Sequence, residues 1–185
     1  LRKRPYRELV GALNYLAVGT RPDIAYSVSS LSQFNSCHGK EHWTAAKRVL
    51  RYLKSTANYG IIYRKNGMGL EGFSDADWAG CPLDRRSYTG YAFTFNGAII
   101  NWESRKQRTV ALSSTEAEYM ALTEATKEAL YLRKLLGEIG IYKADKVSIS
   151  CDNRGARFLA ESPAYHSRSK HIDLRHHFVR DALKE

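Results

Sequence analysis

Three carboxylates, Asp75, Glu116 and Asp152, are the residues whose types and surroundings could do chemistry together. Asp75 ends the run Leu70-Glu71-Gly72-Phe73-Ser74-Asp75. Glu116 opens a long helical pattern after Ser113-Ser114-Thr115, and Asp152 ends Val147-Ser148-Ile149-Ser150-Cys151-Asp152. Carboxylates delivered by the ends of separate strands and by a helix start are how a fold gathers oxygen ligands around Mg²⁺ or Mn²⁺. Held together without a cation, such groups repel one another. The arrangement predicts a metal-dependent nuclease.

The elements that must position these residues follow from periodicity. Tyr6 to Val18 carries Leu9, Val10, Leu13, Tyr15 and Leu16 at helical spacing and stops at Gly19. Pro22 fits the first turn of a second helix holding Ile24, Ala25, Val28 and Leu31. A third helix over 40–54 sets Trp43, Ala46, Val49, Leu50 and Leu53 on one side. From Tyr59 the period changes. Gly60 to Arg64, then Leu70 to Asp75, read as strands around a turn at Asn66-Gly67. Tyr88 to Phe95 turns at Asn96-Gly97 into a strand over Ala98 to Trp102. A helix over 115–136, a strand over 147–151, a helix through 156–159 and a last helix from Ile172 complete the pattern. Strands followed by alternating helix and strand predict an α/β fold, a mixed sheet flanked by helices and preceded by a short helical segment. The boundary falls between residues 57 and 69.

Charge is unevenly distributed. The 185 residues carry a net +10, of which residues 1–60 hold +7, from ten Lys/Arg against three acids. A basic first third favours a polyanionic partner, nucleic acid before others. Lys47, Arg48, Arg51 and Lys54 form a stripe at i, i+1, i+4 and i+7 on the third helix. Arg105, Lys106 and Gln107, in the polar run after Trp102, are further candidates for gripping a phosphate backbone.

Other chemistries are disfavoured. Cys37, Cys81 and Cys151 are odd in number and in no CxxC pair, against a disulfide framework or a structural zinc site. No apolar stretch approaches the roughly 18 residues of a membrane span, and no apolar signal region follows Leu1-Arg2-Lys3-Arg4-Pro5. Ser113, Ser114 and Thr115 have no suitably placed His for a serine hydrolase, and no Gly-rich phosphate loop is present. His166, His171, Asp173, His176 and His177 have metal-like composition, but their spacing does not converge and zinc is not expected there. Asp77 lies two residues beyond Asp75 and would share its side only if the strand continued, but the following Trp78-Ala79-Gly80 reads as a turn. Glu118 lies off the helical face of Glu116 and is expected to be solvated.

The chain resembles the reverse transcriptase–ribonuclease H junction of a copia-type retrotransposon Pol polyprotein. Tyr6-Arg7-Glu8-Leu9-Val10-Gly11-Ala12-Leu13-Asn14-Tyr15-Leu16, Thr20-Arg21-Pro22-Asp23-Ile24 and His42-Trp43-Thr44-Ala45-Ala46-Lys47-Arg48 resemble the end of the polymerase. Ser74-Asp75-Ala76-Asp77-Trp78-Ala79-Gly80, Arg86-Ser87-Tyr88-Thr89-Gly90-Tyr91, Ser113-Ser114-Thr115-Glu116-Ala117-Glu118-Tyr119 and Lys170-His171-Ile172-Asp173 resemble the nuclease.

The resemblance implies residues 1–58 as a helical tail of the reverse transcriptase and residues 59–185 as a ribonuclease H-like domain. It implies cleavage of the RNA strand of an RNA–DNA hybrid with two Mg²⁺ ions, or Mn²⁺, as part of the larger Pol polyprotein. Asp75 would bridge the ions, Glu116 would hold the ion on the leaving side, and Asp152 would complete the cluster. The family's fourth acid, in a run like Asn-Gln-Leu-Ala-Asp, is not found before Glu185, so the domain is expected to lack its last strand and helix. By resemblance the product would work in cytoplasmic particles and reach the nucleus, and would not be secreted. The alternative is a non-catalytic nucleic-acid-binding remnant of a mobile element.

Overall fold

The computed structural model describes residues 5–143, 146–161 and 173–184, the side chains of 173–176 excepted. The chain forms two compact units, Leu1–Ile62 with Glu103–Lys106, and Tyr63–Trp102 with Gln107–Glu185.

The first unit is helical. Helix α1 (Tyr6–Gly19) buries Tyr6, Val10, Leu13 and Ala17, a stripe at the spacing of one helix face. Pro22–Ile24 form a single 3₁₀ turn leading into α2 (Ala25–Ser32), and α3 (Lys40–Ser55) follows. Ile24, Val28, Leu31 and Ala46 close the core, with Trp43, Val49 and Leu53 packed against it. The Thr-Arg-Pro-Asp-Ile run has a structural role. Buried Arg21 donates Nε and Nη2 to the two oxygens of Asp23 at 2.9 and 2.7 Å. It also donates to Thr56 Oγ1 at 2.6 Å and to the Thr56 carbonyl at 3.2 Å. This fork ties the entry of α2 to the exit of α3, and its hydrogen bonds hold the Asp23 carboxyl below the usual carboxylate range.

The second unit, with the last residues of β3 (Glu103–Lys106) counted in the first, holds a four-stranded sheet of β1 (Leu70–Ala76), β2 (Tyr88–Phe95), β3 (Ala98–Lys106) and β4 (Ser148–Cys151), in the order β3-β2-β1-β4. Strand β1 runs antiparallel to β2 and parallel to β4, which makes the sheet mixed. Asn96 and Gly97, with φ of 53° and 74°, form the tight turn between β2 and β3 that Asn-Gly predicts. Helix α4 (Ser114–Glu138) lies across β1 and β2 and buries Ala125, Ala129, Leu132 and Leu136 against Leu70 and Phe93. Helices α5 (Arg154–Glu161) and α6 (Asp173–Lys184) pack on α4. The α/β class, a mixed sheet flanked by helices and preceded by a helical segment, is as expected.

Two expectations are corrected. The segment from Gly60 to Arg64 is not a strand. Ile62 and Tyr63 are 66% and 62% exposed there, and strand-forming residues without a covered face and a ladder partner do not hold an extended ladder. Strand β3 instead runs four residues further than Trp102, to Lys106.

The ring of Phe93, the partner of Gly72 across the β1–β2 ladder, leaves no slack at Gly72. A Cβ there would sit 2.5 Å from Cε1 of Phe93, which is fully buried. Gly72→Ala is expected to destabilise the domain by about 1–3 kcal/mol, the usual cost of overpacking. A urea melt compared with the parent chain measures it.

Candidate metal centre

The parallel pairing of β1 with β4 sets the site. Ser74 is level with Cys151, so the next residue of each strand, Asp75 and Asp152, emerge side by side at the same end of the sheet. The third carboxylate comes from the first turns of α4. One ligand oxygen each from Asp75, Glu118 and Asp152 lies within 4.8 Å of the others. Asp75 and Asp152 are exposed and Glu118 is buried, so the cluster has an open mouth and a closed back wall.

Glu118 takes the place expected for Glu116, and the exchange has a local cause. Residues two apart on a helix point about 200° apart, so Glu116 and Glu118 cannot enter one site. Ser113 caps α4 by accepting the Glu116 N–H at 3.1 Å. The Glu116 carboxylate turns back and accepts the Leu112 N–H at 2.7 Å. Glu116 therefore satisfies the helix start, in the manner of a capping box. The reading of Glu118 as solvated is overturned, because the residue is only 6% exposed.

Burial makes Glu118 the electrostatically costly member. Desolvation first, then the neighbouring charges of Asp75 and Asp152, push its carboxyl up from 4.5 to about 7, against a backbone hydrogen bond with Ala76 that acts in the opposite direction. Its Oε2 is buried and has no hydrogen-bond partner. A buried carboxylate with one unsatisfied oxygen, clustered with two further carboxylates, fits a hard divalent cation, which would supply the missing partner and neutralise the repulsion.

The other candidate residues fall into two groups. Lys47, Arg48, Arg51 and Lys54 are all exposed on the solvent face of α3. The run after Trp102 is less free than its sequence implies. Arg105 pairs with Glu103 at 3.5 Å, and Lys106 donates to Gln33 Oε1 at 2.7 Å. Gln107 is 5% exposed, and its Nε2 donates to Thr89 Oγ1 and to the Ala117 carbonyl, both at 3.0 Å. Its assignment to a nucleic-acid surface is corrected: it braces β2 against the start of α4. Asp77 accepts the Tyr88 N–H at 2.6 Å, which fixes the turn after β1. His166 and His171, with the Lys170-His171-Ile172-Asp173 motif and the side chains of Asp173 and His176, lie outside the described residues. Cys37, Cys81 and Cys151 form no disulfide, and among the described residues no helix is long and apolar enough to cross a membrane.

Comparison with known proteins gives the site its context. No family model matches the chain. The sequence is 45% identical over 183 residues, 99% of the chain, to the retrovirus-related Pol polyprotein from transposon TNT 1-94 of Nicotiana tabacum. It is 58% identical over 129 residues to secreted RxLR effector protein 161 of Plasmopara viticola, covering 69% of this chain and 91% of that protein. Among solved structures, RNase H1 of the halophilic archaeon Halobacterium salinarum matches with a TM-score of 0.43 at 13% identity, over 63% of this chain and 78% of that one. The chain spans only 12–14% of the transposon Pol polyproteins it matches first. Identity of 45–46% to those polyproteins over 97–99% of its length makes the chain a homologue of one segment of them.

Proposed function

We propose that this chain carries the ribonuclease H-like domain of a copia-type retrotransposon Pol polyprotein, cleaving the RNA strand of RNA–DNA hybrids with Mg²⁺ or Mn²⁺. Residues 1–58 are then the end of the preceding reverse transcriptase, and the rest of the polyprotein is the partner. Similarity to segments of Pol polyproteins supports this reading, but one observation carries it: Asp75, Glu118 and Asp152 bring ligand oxygens within 4.8 Å of one another, and Glu118 has a buried oxygen without a partner.

When bound, two divalent ions supply an activated water and a counter-charge for the leaving oxygen. The chain's own residues bind and orient. Glu118 at the closed back fixes the depth of the site. Asp75 and Asp152 at the mouth are reached by a substrate strand, which their exposure permits. The exposed basic stripe of α3 binds phosphates. By the same family reading, the protein works in cytoplasmic particles and the nucleus.

The test is cleavage of a labelled RNA–DNA hybrid by the chain and by its Asp75→Asn variant, with Mg²⁺ and with Mn²⁺. Cleavage by the parent that vanishes in the variant is the expected result. Hybrid binding without cleavage in either metal would favour the non-catalytic binding module.

The stripe gives a separate expectation. Reversing Lys47, Arg48, Arg51 and Lys54 to Glu should weaken hybrid binding and flatten the plot of log affinity against log salt by up to about 4 units of slope. Anisotropy titrations at several salt concentrations measure both. An unchanged slope would remove α3 from the interface.

A further inference from the structure

The loop joining β1 to β2 holds its backbone in a conformation that its residues do not favour. Ala79 and Arg85 have φ of 54° and 56°, the left-handed region in which a Cβ crowds the neighbouring carbonyl. Hydrogen bonds impose that geometry. The Ala79 N–H donates to Oγ of buried Ser87 at 3.1 Å. The Cys81 N–H donates to the Arg86 carbonyl at 3.1 Å, and the Arg85 N–H to the Cys81 carbonyl at 2.8 Å. At position 85 these bonds use only the backbone. Glycine would serve them with less strain, so the loop itself gives no reason for an arginine there.

The place and the pairing of that side chain supply a reason. Strand β1 ends at Ala76, opposite Thr89 near the start of β2. The loop between them therefore lies at the end of the sheet where Asp75 and Asp152 emerge. Arg86 is engaged within the loop, its Nε 3.6 Å from the Asp84 carboxylate. Arg85 is exposed, and among the described residues its guanidinium has no ion pair or hydrogen bond. A cation left unpaired on a pinned backbone suits an anion from outside the chain. A nucleic-acid strand reaching the acidic cluster brings its phosphates towards three carboxylates and gains from a nearby positive group. The guanidinium fork matches two phosphate oxygens at once.

We propose that Arg85 is a phosphate-binding residue that grips the backbone of the strand entering the acidic cluster, and that the strained loop exists to hold it there. This rests on the hybrid-cleaving reading above and adds to it a substrate-positioning residue outside the carboxylates.

The test measures affinity of the full chain for a labelled RNA–DNA hybrid at several salt concentrations, with Ca²⁺ in place of Mg²⁺ to withhold cleavage, beside thermal melts. Arg85→Gly should weaken binding roughly tenfold and flatten the salt slope by about 1 unit. Its melting temperature should be no lower than the parent's, because glycine accepts the left-handed backbone. Arg85→Lys keeps the charge without the fork, so it should keep the slope and lose only a few-fold in affinity, roughly. Arg85→Gln removes the charge and leaves the backbone as strained as before. It should show the same loss of slope, and it decides the matter if Arg85→Gly does not fold. A parent that binds the hybrid with affinity and slope unmoved by Arg85→Gly and Arg85→Gln would overturn the inference alone. Weaker binding with an unchanged slope in both variants would also overturn it, since the loss would then lie in the loop and not in a phosphate contact. A parent that does not bind the hybrid would overturn the hybrid-cleaving reading together with it.

Discussion

Glu118→Gln will abolish the stabilisation that Mg²⁺ or Mn²⁺ confers and lower hybrid cleavage by on the order of a hundredfold or more, while Glu116→Gln will leave both in place. The two substitutions are chemically identical and two residues apart, so only geometry separates them. Glu118 contributes an oxygen within 4.8 Å of the Asp75 and Asp152 ligand atoms, and it has a buried oxygen without a partner. Removing its charge leaves the cluster one ligand short, and metal catalysis is worth several kcal/mol of charge stabilisation. Glu116 instead accepts the Leu112 N–H, so its loss is felt at the start of α4, at about 1 kcal/mol of stability. Thermal melts with and without metal read the first effect independently of catalysis. If Glu116→Gln lost the metal-induced shift and Glu118→Gln kept it, the site drawn here would be wrong.

That pair of residues also shows where sequence reasoning stops. Asp75 and Asp152 were legible because each ends a strand-like run, and two parallel neighbours deliver their ends to one place. The Asn96-Gly97 turn and the helical stripe of α1 were legible for the same local reasons. Which carboxylate of Glu116-Ala117-Glu118 faces the cluster depends on how α4 is rotated about its axis. Packing sets that rotation: Ala117, Ala121 and Ala125 are each fully buried, one turn apart. One local signal was available. Ser113-x-x-Glu116 is a capping-box signature, which commits Glu116 to the helix start and leaves Glu118 as the next carboxylate. Gln107 was misread for a related reason. Its polar neighbours suggest a loop, but β3 continues to Lys106 and the next side chain turns inward, where its amide bonds Thr89 and Ala117.

Metal-free protein should lose stability as pH rises from about 5 to about 8, and Glu118→Gln should remove most of that loss. The Glu118 carboxyl is raised from 4.5 to about 7 by burial and by Asp75 and Asp152. Between those values the folded chain holds a proton that the unfolded chain has released, so stability falls with increasing pH. The contribution is fully present below the unfolded value and is lost as pH passes through about 7. A shift of this size corresponds to up to about 3 kcal/mol. The comparison that isolates it is parent against Glu118→Gln in EDTA. The variant should be close to the parent at acid pH and the more stable of the two at pH 8, because it relieves a buried like-charge cluster. Mg²⁺ should reverse the order, since a cation binds the deprotonated cluster and stabilises the parent more at pH 8 than at pH 5. Urea melts at the two pH values, with EDTA and with Mg²⁺, give all four differences. A stability gap between parent and variant that did not change with pH would mean Glu118 keeps an ordinary carboxylate affinity for protons. The buried, charge-crowded back wall on which the proposed metal site rests would then not exist.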